Sequence, residues 1–135
     1  MTALDDLLAP AGADQDDLSG PGSFEDVHAF VERLIAPAYA RDVRDVRDAD
    51  THAKWCARWH EHPAAAWRLD ALWRTWQNLP DNDPDAVCAW WLDRADPTVT
   101  VLTDPVRGPF VGCGPTRHHR PPDLPSSPAA PGHVS

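Results

Sequence analysis

The stretch KWCARWHEHPAAAWRLDALWRTW, residues 54–76, carries five of the chain's seven tryptophans, and a cysteine and two histidines fall within its first nine residues. Its second half reads as a helix. Pro63 stands where a helix can start without losing a hydrogen bond, because the N–H groups of the first turn have no intrahelical partner. From there Ala65, Leu69, Leu72, Trp73, Trp76 and Leu79 fall on one arc at about 100° per residue, with Arg68, Asp70, Arg74 and Gln77 off it. Such an arc buries Trp73 and Trp76. Trp67 lies on the opposite side. A small domain draws much of its burial from aromatics, which predicts that another segment covers it.

On the N-terminal side, Ser23 reads as a helix cap, with Glu25 and Asp26 in the first turn facing the positive end of the helix dipole. Phe24, Val27, Phe30, Val31, Leu34 and Ile35 then repeat at three and four residues, an amphipathic helix packed on one face. Pro37 bends or breaks it, with helix resuming towards Tyr39. RDVRDVRDAD, Arg41 to Asp50, follows as a three-residue repeat whose arginines and aspartates pair along a solvated connector. On the C-terminal side, Asp83-Pro84 is a cap followed by a first-turn proline, opening a short helix to Arg94. Val87, Trp90 and Trp91 form its buried face, and Cys88 reads as a core cysteine. Asp96-Pro97 starts a further element, TVTVLT, read as helix despite its β-branched content. Asp104 to Pro109 is a turn, and PFVGC a short extended piece.

The expected fold is mostly α: three or four helices around a Trp-rich core, with a short C-terminal extended segment and disordered tails. Residues 1–22 hold five aspartates and no Lys or Arg, which predicts a disordered acidic arm; residues 120–135 are Pro-rich and read as a disordered tail; residues 23–119 form the core domain. A net charge of −9 and a pI of about 5.0 disfavour attraction to nucleic acid or to acidic membranes. There is no apolar run of ~18 residues to cross a bilayer. The first residues have neither a basic start nor a sustained apolar stretch, so the expected location is the cytoplasm. Three cysteines, Cys56, Cys88 and Cys113, suit a reducing compartment better than a disulfide framework.

The chemistry concentrates at two places. Cys56, His60 and His62 lie on one side, and Cys113, His118 and His119 on the other. Zinc takes four tetrahedral nitrogen and sulfur donors, and two pairs from distant segments would pin the C-terminal piece to the helices. Cys56 could pair with His60 on a helix face, or with His62 if the helix ends before Pro63. Cys113 and His118 have C-x4-H spacing. The alternative is buried, inert thiols with surface histidines. Catalytic motifs are absent: there is no nucleophile elbow and no phosphate-cradling glycine loop, and His60-Glu61-His62 is not the H-E-x-x-H pattern of a zinc hydrolase.

WCARWHEHPAAAWRLDALWRTW, then AWWLDRADP, then DPVRGPFVGC with a histidine following, resemble an actinobacterial domain-of-unknown-function family, number 4913. That family's pattern runs W-C-x-x-W-W-x-H-P-E-A, R-L-x-x-L-W, G-P-F and a closing C…H. The match covers roughly Phe24 to His119, at Trp55, Cys56, Trp59, His62, Pro63, Arg68, Leu69, Leu72 and Trp73, and again at Gly108, Pro109, Phe110, Cys113 and His118. Here His60 stands where the pattern has tryptophan and Ala64 where it has glutamate. The resemblance thus implies His62 rather than His60 as ligand, giving the set Cys56, His62, Cys113 and His118 for a structural zinc. The residues themselves do not separate His118 from His119.

The resemblance brings no activity, and its association with mobile genetic elements implies an accessory role. The expected function is a small non-enzymatic binding or adaptor module with a protein partner. Two other classes stand beside it. One is a nucleic-acid-binding accessory protein, which needs Arg58, Arg68 and Arg74 on one face; the other is a metal- or thiol-dependent enzyme, which needs an open pocket at Cys56 and His62.

Overall fold

A computed structural model describes residues 22–41, 43 and 52–129. The acidic arm up to residue 21, all of the Arg/Asp repeat except Arg41, Val43 and nothing further, and the last six residues of the tail lie outside the described residues. About half of the described residues are helical and none forms a strand. Three helices carry the fold: α1 over residues 27–38, α2 at Pro63–Gln77, and α3 over residues 84–103. No helix among the described residues is long and apolar enough to cross a membrane.

Two of the three helices solve the same problem in the same way. Helix α1 runs as Val27–Phe30, a π-helical turn Val31–Ile35, and Ala36–Ala38; α3 runs as Pro84–Trp90, a π turn Trp91–Ala95, and Asp96–Thr103. Each π turn ends two residues before a proline, Pro37 or Pro97. The N–H of Ala36 reaches the carbonyl of Val31, and that of Asp96 the carbonyl of Trp91, a span of five residues. Proline has no N–H and its ring crowds the carbonyl four residues back, so widening the preceding turn keeps the helix intact. At Pro37, where the sequence predicts a bend or break with helix resuming, the helix continues to Ala38, and the new element expected at Asp96 is instead a continuation of the same helix.

The caps follow local chemistry. Asp83 accepts from the N–H of Ala86 at 3.0 Å, as the Asp-Pro pair predicts. For α1 the cap is Asp26, accepting from Ala29 at 2.9 Å, and not Ser23. Glu25 instead holds Arg33 at 2.8 Å. Between α2 and α3 the chain turns through Asn82 at φ 53°, a left-handed position that asparagine tolerates.

The core is built around tryptophan. Trp90 meets Trp76 at 4.7 Å between ring centroids, Trp91 at 4.9 Å and Phe30 at 6.2 Å, all edge to face. Indole N–H groups are satisfied as they are buried. Trp76 donates to the carbonyl of Gly22 at 2.8 Å, Trp73 to that of Phe24 at 3.3 Å, and Trp90 to the hydroxyl of Thr75 at 2.9 Å. The first two tie the entry to α1 onto α2. Tyr39 donates to Asp96, joining the end of α1 to α3, and burial together with that carboxylate pushes its phenol well above the usual range.

Two expectations fail. Trp67 is 75% exposed, on the face of α2 opposite its buried arc. Cys88 is exposed as well; Trp90 and the half-buried Val87 and Trp91 take the inner face of α3 and leave position 88 outside.

Candidate metal centre

Four side chains from two distant segments meet at one end of the bundle. The donor atoms of Cys56, His62, Cys113 and His118 all lie within 4.8 Å of one another, three of the residues being buried and His118 partly so. This grouping could hold a metal ion. Cys56 Sγ is 3.1 Å from His118 Nδ1, and Cys113 Sγ is 3.5 Å from His62 Nε2.

The first pair is placed by the start of α2. Pro63 forces the residue before it into extended backbone, and His62 stands at φ −105°, ψ 109°. Its carbonyl accepts the N–H groups of Ala65 and Ala66 at 2.9 and 2.8 Å, which fixes its orientation on the helix. Ahead of it, the 3-10 turn Trp59–Glu61 swings His60 outwards and returns the chain so that His62 sits near Cys56. The expected alternative of Cys56 and His60 sharing a helix face does not occur: His60 is exposed and stacks on Trp59 and His28. The backbone N–H of Lys54 caps the carbonyl of Thr103 at 3.0 Å, anchoring the Cys56 strand of chain to the end of α3.

The second pair is placed by turns. Gly108 donates to the carbonyl of Asp104 at 3.1 Å, and a Cβ there would stand 2.7 Å from the carbonyl oxygen of Leu102, so only glycine lets the chain fold so tightly under α3. Asp104 accepts from the N–H groups of Val106 and Arg107 at 2.8 Å each, which holds its carboxyl below the usual range. Phe110 then inserts between His62 and Trp55, each ring centroid 5.0 Å away. Residues 109–112, expected as part of a short extended piece, run instead as turns; beyond them Gly114 and Arg117 form an antiparallel bridge, with Pro115 and Thr116 at the turn. It brings His118 back beside Cys113. His119 is exposed, but its backbone N–H points at Cys113 Sγ at 3.3 Å.

The electrostatics suit a cation. Burial pushes the Cys56 thiol up to about 11, with Cys113 adding to the effect, and burial holds the His62 imidazole below its usual range. Without a positive centre Cys56 therefore favours the neutral thiol and His62 the neutral imidazole. A divalent ion reverses that preference, drawing out thiolates. His62 is 1% exposed and its Nδ1 has no hydrogen-bond partner among the protein atoms, an unmade bond in a place where one is costly. Two sulfur and two nitrogen donors suit a tetrahedral ion, whose bonds of ~2.0–2.3 Å put donors roughly 3.3–3.8 Å apart. The pairs at 3.1 and 3.5 Å lie near that range, and the whole set, within 4.8 Å, would draw together on a metal.

Glu61, which the sequence offers only as the middle of a His-Glu-His run, stands beside the cluster. Glu61 Oε1 lies 3.6 Å from His118 Nε2, the ring nitrogen opposite the one facing Cys56. Arg58 grips both oxygens of Glu61, at 2.8 and 2.9 Å, and holds its carboxyl below the usual range. At 3.6 Å the Glu61 carboxylate faces the imidazole without a direct hydrogen bond, in the position of the outer partner that a metal-binding histidine commonly has. Arg58 is thus paired with Glu61, and Arg74 with Asp70 at 2.8 Å.

A family profile described as Domain of unknown function (DUF4913) matches residues 24–132, and the chain belongs to that family. No curated protein matches the chain, and no solved structure does.

Proposed function

We propose that this member of the family is a small non-enzymatic binding or adaptor module. Its C-terminal turns are stapled to a Trp-rich helical core by a structural zinc ion on Cys56, His62, Cys113 and His118. The observation that carries the reading is the convergence, within 4.8 Å, of two cysteines and two histidines from segments 51 to 62 residues apart. Two thiolates and two imidazoles fill a tetrahedral zinc completely, leaving no open position for a substrate or an attacking water. Structural zinc supplies stability and no chemistry here. Cys56, Cys88 and Cys113 are all free thiols, in keeping with a reducing compartment such as the cytoplasm.

Elemental analysis of the purified full-length chain tests the reading. Near one zinc per chain is expected, and C113S is expected to lose it. A chain without metal, whose melting curve is unchanged by C113S, sinks the staple.

A further inference from the structure

The cations of this acidic chain are unevenly committed. Arg33, Arg58, Arg74 and Arg120 each pair with a carboxylate. Arg68 bonds to the carbonyl of Ala64 at 3.1 Å, and neither Arg68 nor Arg107 makes a salt bridge among the described residues. These two, with Arg120, rim a groove of about 480 Å³ between the first turns of α2, the end of α3 and residues 120–124. Asp123 lies 3.2 Å from Arg120 and is the one acidic residue lining the groove. Leu102 and Pro109 are among its apolar lining residues, and Leu124, on the wall formed by residues 120–124, is 90% exposed.

We propose that this groove docks an acidic peptide segment bearing aliphatic side chains. Carboxylates would take the planar guanidinium forks of Arg68 and Arg107, and share Arg120 with Asp123, since a guanidinium has five donors. Aliphatic groups would cover the apolar lining. Charge complementarity selects the occupant: three arginines against one aspartate make the groove a positive site on a chain of net charge −9. No Phe, Tyr or Trp lines it, so the stacking surface that a single-stranded nucleic acid needs is missing. The wall at Arg120–Leu124 begins two residues after His118. On the proposed zinc reading, on which this clause rests, the metal also holds that wall in place.

The test is selection from a random dodecamer phage library on the immobilised full-length chain. The leading peptide is then titrated by fluorescence polarisation against wild type, R68Q/R107Q and L124S. Enriched sequences should combine Asp or Glu with Leu, Ile or Val. The arginine variant should bind at least about tenfold more weakly, and binding should weaken with salt. L124S, at a solvent-exposed position, should also weaken binding while leaving the melting temperature unchanged. Enrichment without acidic residues, equal affinity for the variants, or displacement by a single-stranded oligonucleotide overturns the proposal. Metal analysis of the same samples keeps the two readings apart. A metal-free chain that binds through the arginines upholds the groove and removes the staple. A zinc-loaded chain whose peptide affinity ignores R68Q/R107Q does the reverse.

Discussion

Trp90 and Cys113 are both buried, yet their surroundings have little in common. Trp90 is enclosed by Phe30, Trp76 and Trp91, rings carried on α1, α2 and α3, and each ring holds its neighbours at an edge-to-face angle. Cys113 lies on no helix. Around its sulfur are an imidazole from the start of α2 and the backbone of His119, and its own segment is a series of turns. The first region is sustained by apolar area removed from water. The second has Phe110 and His62 as fully buried rings and, on the proposed zinc reading, depends on polar groups that a positive centre would satisfy. On that reading one region of the chain folds by burial and the other by ligation.

Mutations can test that division. Trp76→Ala removes a ring central to the core and should cost about 3–5 kcal/mol, lowering the denaturant midpoint for helix and metal site together. Survival of the metal site after the helices melt would break the comparison. Chelating the metal should act on the other half alone. With free metal about a thousandfold above its dissociation constant, removal costs about 4 kcal/mol, while the far-ultraviolet helical signal at low temperature stays as it was. Loss of that signal would mean that the core also needs the ion. Glu61→Gln should weaken metal affinity about tenfold, read by competition with a chromogenic chelator, because the imidazole of His118 loses its charged partner. An unchanged affinity would reduce Glu61 to a surface residue. The smallest effect concerns the turn at Asp104. Its carboxyl is lower in the folded chain than in the unfolded one, so its contribution is present above the ordinary carboxylate range and is lost as pH falls through the folded value. Asp104→Asn should flatten that part of the acid limb of a melting-temperature profile.

The helical half was legible because its signals are local. The arc from Ala65 to Leu79 and the Asp83-Pro84 cap depend only on neighbours a few residues away, and the structure reproduces both. Trp67 and Cys88 were misjudged for a different reason. Whether an outward face is covered depends on the whole packing, and an argument from domain size cannot supply it. The π turns were hidden too, since proline usually reads as an end. At the cluster, the residue types and the C-x4-H spacing pointed to a site. Which of His60 and His62 turns inward depended on a 3-10 turn of three residues that no periodicity marks. Glu61 and the arginine groove required three dimensions.

The paired π turns have a bearing on how such helices tolerate change in length. A turn of this kind is one extra residue wound into an otherwise regular spiral, and the wide turn absorbs the roughly 100° by which an added residue would otherwise rotate every later side chain. In α3 the surplus sits in Trp91–Ala95, upstream of the buried Val99 and Leu102. Deleting Leu92, whose side chain is exposed, together with Pro97→Ala would leave an unbroken α-helix that still turns Val99 and Leu102 inward. The same deletion between Pro84 and Trp90 would also move Trp90 relative to the helix start. An insertion or deletion that would scramble the buried face elsewhere is therefore already accommodated here, in each helix just ahead of its proline.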